Sequence, residues 1–182
     1  IVDVVLLGVV FQMLAKLGGA GTLVPITGFA NAITAPAVEF KTEGVILGTA
    51  AVTNPAFAAE AAKKYGEKIA VGVDIKDGYV AIKGWTEKSQ YTFEDFCQKM
   101  QDKGVKTLIC TDISKDGAMK GTNRELYKSL SEKLSLDIIA SGGVSTIDDI
   151  RALREMNLYG AIIGKAYYTN AIDLKEAIEV AK

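Results

Sequence analysis

A chain of 182 residues with 24% charged and 49% hydrophobic side chains has the length and composition of one soluble globular domain. Its formal net charge of -1 offers no basic surface to a polyanion, which excludes nucleic acid as an expected partner. Histidine is absent, so acid–base chemistry falls to Asp, Glu, Lys, Cys or Tyr.

Charge is unevenly spread. Residues 1–40 hold only three charged side chains, Asp3, Lys16 and Glu39. The apolar run from Ile1 to Phe11 is short of the about 20 residues that span a bilayer, and no basic stretch precedes it as in a signal peptide. A start at Ile rather than Met suggests an open-ended fragment or a processed chain. Gly18 to Asn31 is rich in glycine, but it lacks the Gly-Lys-Ser/Thr ending of a phosphate loop and has no strand-to-helix frame. Small residues of this kind suit close packing in an apolar or membrane setting. The tract from Gly18 to about Gly48, with Ala37-Val38-Glu39-Phe40-Lys41-Thr42-Glu43-Gly44, resembles the stage V sporulation AC family of small bacterial membrane proteins. That likeness implies an apolar, non-barrel segment over 1–44 with membrane association confined to it.

From Gly44 the pattern changes. Val45-Ile46-Leu47 reads as a strand buried on both faces. Asn54-Pro55 opens a helix with a cap and a proline at its first position, and Gly66 closes it. Ile69 to Val73 is the next strand, ending at Asp74. Gly78 and Gly84 mark turns around an extra strand at Tyr79–Ile82. Thr92-Phe93-Glu94-Asp95 resembles a capping box, followed by Phe93, Phe96, Cys97 and Met100 at helical spacing. Thr107 to Cys110 is a strand, and Thr122 or Asn123 caps a helix through Leu134. Leu136 to Ala140 is a strand, with Ser145 expected to cap the helix Thr146 to Met156. Gly160 to Ile163 is the last strand, and Asn170 precedes a closing helix. Five strand-then-helix units in series predict a parallel sheet, either an open doubly wound sheet or a β/α barrel. A complete barrel takes about 250 residues, so on the barrel reading residues 45–182 are about half of one.

Parallel α/β proteins gather their chemistry at the carboxyl ends of the strands. Those positions here are Gly48-Thr49, Asp74, Thr111-Asp112, Ser141-Gly142-Gly143 and Gly164-Lys165. Glycine loops that lead into helices cradle anions with backbone N–H groups, and barrels often build a phosphate site after their last two strands. The alternative is two tight turns without a ligand. Asp74, closing an apolar strand, suits a general acid whose pKa burial would raise, or else a cap or an ion-paired Asp. Thr111 and Asp116 likewise read either as site residues or as structural ones. Trp85, the only tryptophan, either stacks on a planar ligand or packs on the rim. Cys97 and Cys110 lack metal or redox spacing and read as reduced thiols of a cytoplasmic protein.

These strand ends, read with their flanks, resemble the phosphoribosylformimino-5-aminoimidazole carboxamide ribotide isomerases of histidine biosynthesis. The matching stretches are Ile46 to Val52, Val73-Asp74, Gly84-Trp85, Cys110 to Gly117, Ala140 to Val144 and Ile163 to Ala166, in family order. The resemblance implies strands 4 to 8 of a TIM (β/α)8 barrel over 45–182. It implies an Amadori rearrangement of an aminoaldose to an aminoketose, with a small bis-phosphorylated substrate and no metal or other cofactor. By it, Asp74 is the general acid that opens the ribose ring, and Thr111 and Asp116 support substrate and loops. Ser141, Gly142, Gly143, Gly164 and Lys165 frame one phosphate, Gly48 and Thr49 hold half of the other, and Trp85 closes over the substrate. The family's general base, an Asp at the end of its first strand, is not assigned to Asp3, which lacks the flanking pattern. The two resemblances overlap at Gly44 to Gly48, as at a chimeric junction. Two further readings stand beside this one. The first is the cyclase subunit of imidazole-glycerol-phosphate synthase, or another phosphate-binding barrel, with Trp85 and Thr111 as discriminating residues. The second is an inactive chimera with a membrane-associated N-terminus, self-associating through open barrel edges.

Overall fold

The structure, a computed structural model, describes residues 45–182. The apolar Gly-rich segment 1–44 lies outside the described residues, as does the expectation attached to it. In chain order the elements are β1 (Val45–Leu47), α1 (Thr49–Thr53), α2 (Pro55–Tyr65), β2 (Ile69–Lys76), β3 (Tyr79–Ile82), β4 (Glu87–Thr92) and α3 (Phe93–Asp102). There follow β5 (Thr107–Asp112), α4 (Arg124–Lys133), β6 (Asp137–Ser141), α5 (Ile147–Glu155), β7 (Gly160–Ala161), α6 (Lys165–Tyr168) and α7 (Leu174–Ala181).

Strands β1, β2, β5, β6 and β7 lie side by side in that order, every neighbouring pair parallel. The five expected strand–helix units are therefore present as consecutive neighbours, the topology of a partial barrel. The hairpin β3–β4 pairs antiparallel with the carboxyl-terminal end of β2, above the short β1.

The side-chain period of two divides the sheet into two faces. On β2, Ile69, Val71, Val73 and Ile75 are buried against the helices. Val71, Val73 and Ile75 join Phe96, Met100, Leu108, Leu130 and Ile138 in one core. Fully burying each such side chain is worth roughly 1.5–3 kcal/mol. The opposite face carries Ala70, Gly72 and Asp74, in register with Thr107, Ile109 and Thr111 and then with Asp137, Ile139 and Ser141. That second face would be the inside of a closed barrel.

Local chemistry explains the element ends. Asn54 accepts a hydrogen bond from Phe57 N at 3.2 Å, with Pro55 at the first helical position, as expected. Asn123, not Thr122, caps α4, and Thr92 caps α3. Three expectations need correction. Helix α5 is capped by Thr146 rather than Ser145, because Thr146 and Asp149 close a reciprocal capping box that leaves the Ser145 hydroxyl free for the neighbouring loop. The closing helix starts at Leu174 with Asp173 as its cap, and Asn170 instead takes the left-handed conformation that ends α6. Strand β2 runs two residues past Asp74, because the hairpin pairs with Asp74, Ile75 and Lys76. Strand β4 was not foreseen, since Glu-Lys-Ser-Gln-Tyr-Thr has no apolar alternation and buries neither face. Among the described residues no helix is long and apolar enough to cross a membrane.

Candidate active site

Asp74, Thr111 and Ser141 stand in one row across the carboxyl ends of β2, β5 and β6, all on the inner face. The Trp85 indole N–H donates to Asp74 Oδ2 at 2.9 Å, and Thr111 stands beside Asp74 on the neighbouring strand. Burial pushes the Asp74 carboxyl above its ordinary value. The bond from Trp85 and the polar side chain of Thr111 pull it back in part, and the charge of Asp116 pushes it up again. Four residues singled out in the sequence thus meet at one carboxyl group. A group of this kind holds a proton more firmly than an exposed Asp and can deliver it to a leaving oxygen.

The hairpin turn brings Trp85 there. Lys83, Gly84 and Trp85 all adopt positive φ, at 53°, 63° and 70°. A tryptophan in the left-handed region is strained, and such conformations gather at functional sites. The Thr49 hydroxyl accepts a hydrogen bond from Lys83 N at 3.2 Å, so the loop after β1, with Gly48, reaches the same hairpin.

Gly142 and Gly143 follow Ser141 with φ of 92° and 81°. A Cβ on Gly142 would stand 2.6 Å from the Asp112 carbonyl oxygen, and one on Gly143 would stand 2.5 Å from that of Gly121. Loop packing therefore demands glycine at both positions whether or not an anion binds. Among the described residues, no acceptor takes the N–H groups of Gly142, Gly143, Gly164 or Lys165. Lys165 Nζ donates to Gly117 O at 3.1 Å, which brings the loop after β7 onto the loop after β5. The two glycine loops thus open at the same end of the sheet as Asp74.

The sequence reading missed the scaffolding beneath these loops. Asp112 closes an apolar strand just as Asp74 does, yet its odd register turns it to the helix side. There it is buried and accepts from Ser114 N at 2.9 Å, Ser114 Oγ at 2.7 Å and Asn123 Nδ2 at 2.7 Å. Asp149 accepts from Ser145 N, Ser145 Oγ, Thr146 N and Arg124. Burial pushes its carboxyl up, but the Ser145 and Thr146 donors and the Arg124 guanidinium outweigh that and hold it below the ordinary value. The Thr122 hydroxyl donates to Gly142 O at 3.1 Å, and Gly121 N donates to Ser145 Oγ at 3.1 Å. These bonds tie the loop after β5 to the loop after β6. The cap spacing of Thr146 and Asp149 is the one signal that could have found them.

Comparison with known proteins places the chain beside enzymes of one pathway. The sequence pattern of the histidine biosynthesis protein family matches residues 32–173. A 1-(5-phosphoribosyl)-5-((5-phosphoribosylamino)methylideneamino) imidazole-4-carboxamide isomerase of Clostridium acetobutylicum is 49% identical over 143 residues, covering 79% of this chain and 60% of the relative. The isomerase of the same name from Clostridium novyi is 47% identical over 145 residues, covering 80% and 61%. That from Acetivibrio thermocellus is 49% identical over 138 residues, covering 76% and 58%. The chain thus spans about 60% of the length of these curated relatives.

Proposed function

The chain belongs to the histidine biosynthesis protein family, and from that premise we propose that residues 45–182 supply strands 4 to 8 of an aldose–ketose isomerase of that pathway. The proposed reaction is the Amadori rearrangement of a bis-phosphorylated aminoaldose to its aminoketose. The observation that carries the reading is the Asp74 carboxyl, raised by burial, held by the Trp85 indole N–H and flanked by Thr111 at the carboxyl end of the sheet.

In this reading Asp74 gives its proton to the ribose ring oxygen. The bond from that oxygen to C1′ breaks, and the amine nitrogen forms an iminium with C1′. A base then removes the C2′ proton, and the resulting enolamine becomes the aminoketose. By family resemblance the base is an Asp from the first strand; no residue of 45–182 is assigned to it. Thr111 and Asp116 set the charge state of Asp74 and support the surrounding loops. Gly142, Gly143, Gly164 and Lys165, beside Ser141, offer one phosphate four unused N–H groups and an ammonium. Gly48 and Thr49 take part of the second phosphate, and Trp85 closes over the substrate between them. The rearrangement is redox-neutral within one molecule and calls for no cofactor.

Trp85 and Thr111, both beside Asp74, favour the isomerase over the related cyclase. Buried, unpaired Cys97 and Cys110 agree with a cytoplasmic setting. The sporulation-like reading of residues 1–44 as a membrane-associated segment predicts that the purified chain needs detergent. Self-association through the outer edges of β1 and β7, which pair with no strand among the described residues, predicts a concentration-dependent mass.

Because Trp85 is the only tryptophan, its emission reports on the site. Titration with the bis-phosphorylated aminoaldose is expected to change that emission and to shift the amides of Gly142, Gly143, Gly164 and Lys165. Inorganic phosphate is expected to shift the amides alone. Substrate binding that leaves both Trp85 and these amides unaltered would remove the proposal's basis.

A further inference from the structure

Tyr127, on α4, is completely buried, and its hydroxyl reaches into the seam between β5 and β6 at their carboxyl ends. That oxygen lies 2.8 Å from Cys110 O and 2.7 Å from Ser141 O, and it accepts the Ser141 N–H at 3.1 Å. The register pairs Cys110 with Ala140 and Thr111 with Ser141. In a parallel ladder of that register the Ser141 N–H looks toward the Cys110 carbonyl. The phenol therefore stands at the last rung between the two groups that a ladder bond would join, accepting the Ser141 N–H while its single proton is shared between the Cys110 and Ser141 carbonyls. Burial pushes the Tyr127 hydroxyl well above its ordinary value, so it stays a donor.

The chain leaves this rung directly into the glycine loop. Gly142 doubles back at φ 92° so closely that a Cβ there would meet the Asp112 carbonyl oxygen at 2.6 Å. The plane of the peptide between Ser141 and Gly142 fixes where the Gly142 N–H points, and the Ser141 carbonyl in that plane is held by Tyr127. A phenylalanine would fill the same core space, whereas only the hydroxyl touches the backbone that feeds the loop. We propose that Tyr127 is a positioning residue of the anion cradle, its hydroxyl setting the direction of the Gly142 and Gly143 N–H groups. This rests on the reading of that loop as a phosphate site.

The test uses the full chain and inorganic phosphate, with Tyr127→Phe set against Leu130→Ala. Leu130 is buried on the next turn of α4 and makes only apolar contact. Backbone order parameters of Gly142 and Gly143 are measured without ligand, and phosphate affinity is measured from the amide shifts. Tyr127→Phe is expected to lower both order parameters while those of β2 and α7 hold, and to weaken phosphate binding about fivefold to tenfold, the worth of one buried hydrogen bond. Leu130→Ala is expected to unfold more easily yet bind phosphate as the parent does. Equal binding and unchanged order parameters in Tyr127→Phe would overturn the inference while leaving the cradle intact. Equal weakening by both variants would also overturn it, since general loosening would then suffice. Failure of the parent chain to bind phosphate would overturn the cradle itself and this inference with it.

Discussion

At Asp74 the carboxylate exchanges water for an indole N–H, and no cation pairs with it among the described residues. Its folded pKa is raised above the ordinary 3.8, so the folded state keeps a proton that the unfolded chain has released. Stability therefore falls as pH rises from the unfolded pKa through the folded one, and the loss persists above that window. Asp74→Asn removes the loss. At pH 7 the variant should melt higher than the parent, with the difference vanishing below the unfolded pKa. Its contribution to turnover should fall 10²–10⁴-fold, roughly the worth of a positioned acid. Melting curves across pH check the first part, and a lower melting point at pH 7 would contradict it. Trp85→Phe keeps the ring but loses the N–H that pulls Asp74 down. The Asp74 carboxyl should then titrate higher, read from its carbon shift, whereas an unmoved midpoint would deny the bond its role. Asp74 was legible in the sequence as an acid closing an apolar strand. Its hydrogen bond with Trp85 was not legible, since the family likeness implied only that Trp85 closes over the substrate. That Asp112 does structural work instead was not legible, because parity across the sheet needs the register.

At the scale of elements, α5 shows how a cap serves the site. Thr146 and Asp149 cap the helix, and the same Asp149 carboxylate holds Ser145 of the loop before it and Arg124 at the start of α4. Its pKa is lowered, so its stabilisation is present above the unfolded value of 3.8 and is lost as pH falls through the folded one. Asp149→Asn should lower stability at pH 7 by about 1–3 kcal/mol, from lost charge-assisted bonds and a weaker cap. Urea unfolding at pH 7 and in acid checks this, the gap between variant and parent narrowing in acid. A gap that stayed constant with pH would assign the effect to packing. The five strand–helix units were readable because buried parallel strands are short apolar runs followed by capped amphipathic helices. Strand β4 was not, because its polar residues are recruited by pairing with β3 rather than by burial. The true cap of α5 lay one residue beyond the expected Ser145, since two adjacent hydroxyl residues compete and the reciprocal bond to Asp149 decides.

At the scale of the molecule, five neighbouring parallel strands present one helix-covered face and one inner face that carries Asp74, Thr111 and Ser141. The parallel sheet and the shared end of its loops follow from alternation and strand-end chemistry, whereas the choice of a partial barrel over a doubly wound sheet came from the family likeness. What the sequence withheld is the bracing between loops, which depends on long-range bonds such as Thr122 to Gly142. The central claim is that residues 45–182 carry the acid half of an isomerase site whose base comes from the first strand of the barrel. The most direct measurement mixes the chain with a separate polypeptide bearing the first three strand–helix units of a related isomerase. Conversion of aminoaldose to aminoketose is then followed for the chain alone, for the mixture, and for the mixture made with Asp74→Asn. Turnover should appear with the mixture and fall by about 10²–10⁴-fold with the variant. A mixture that converts nothing beyond its parts, or one that works equally well with Asp74→Asn, would contradict the account.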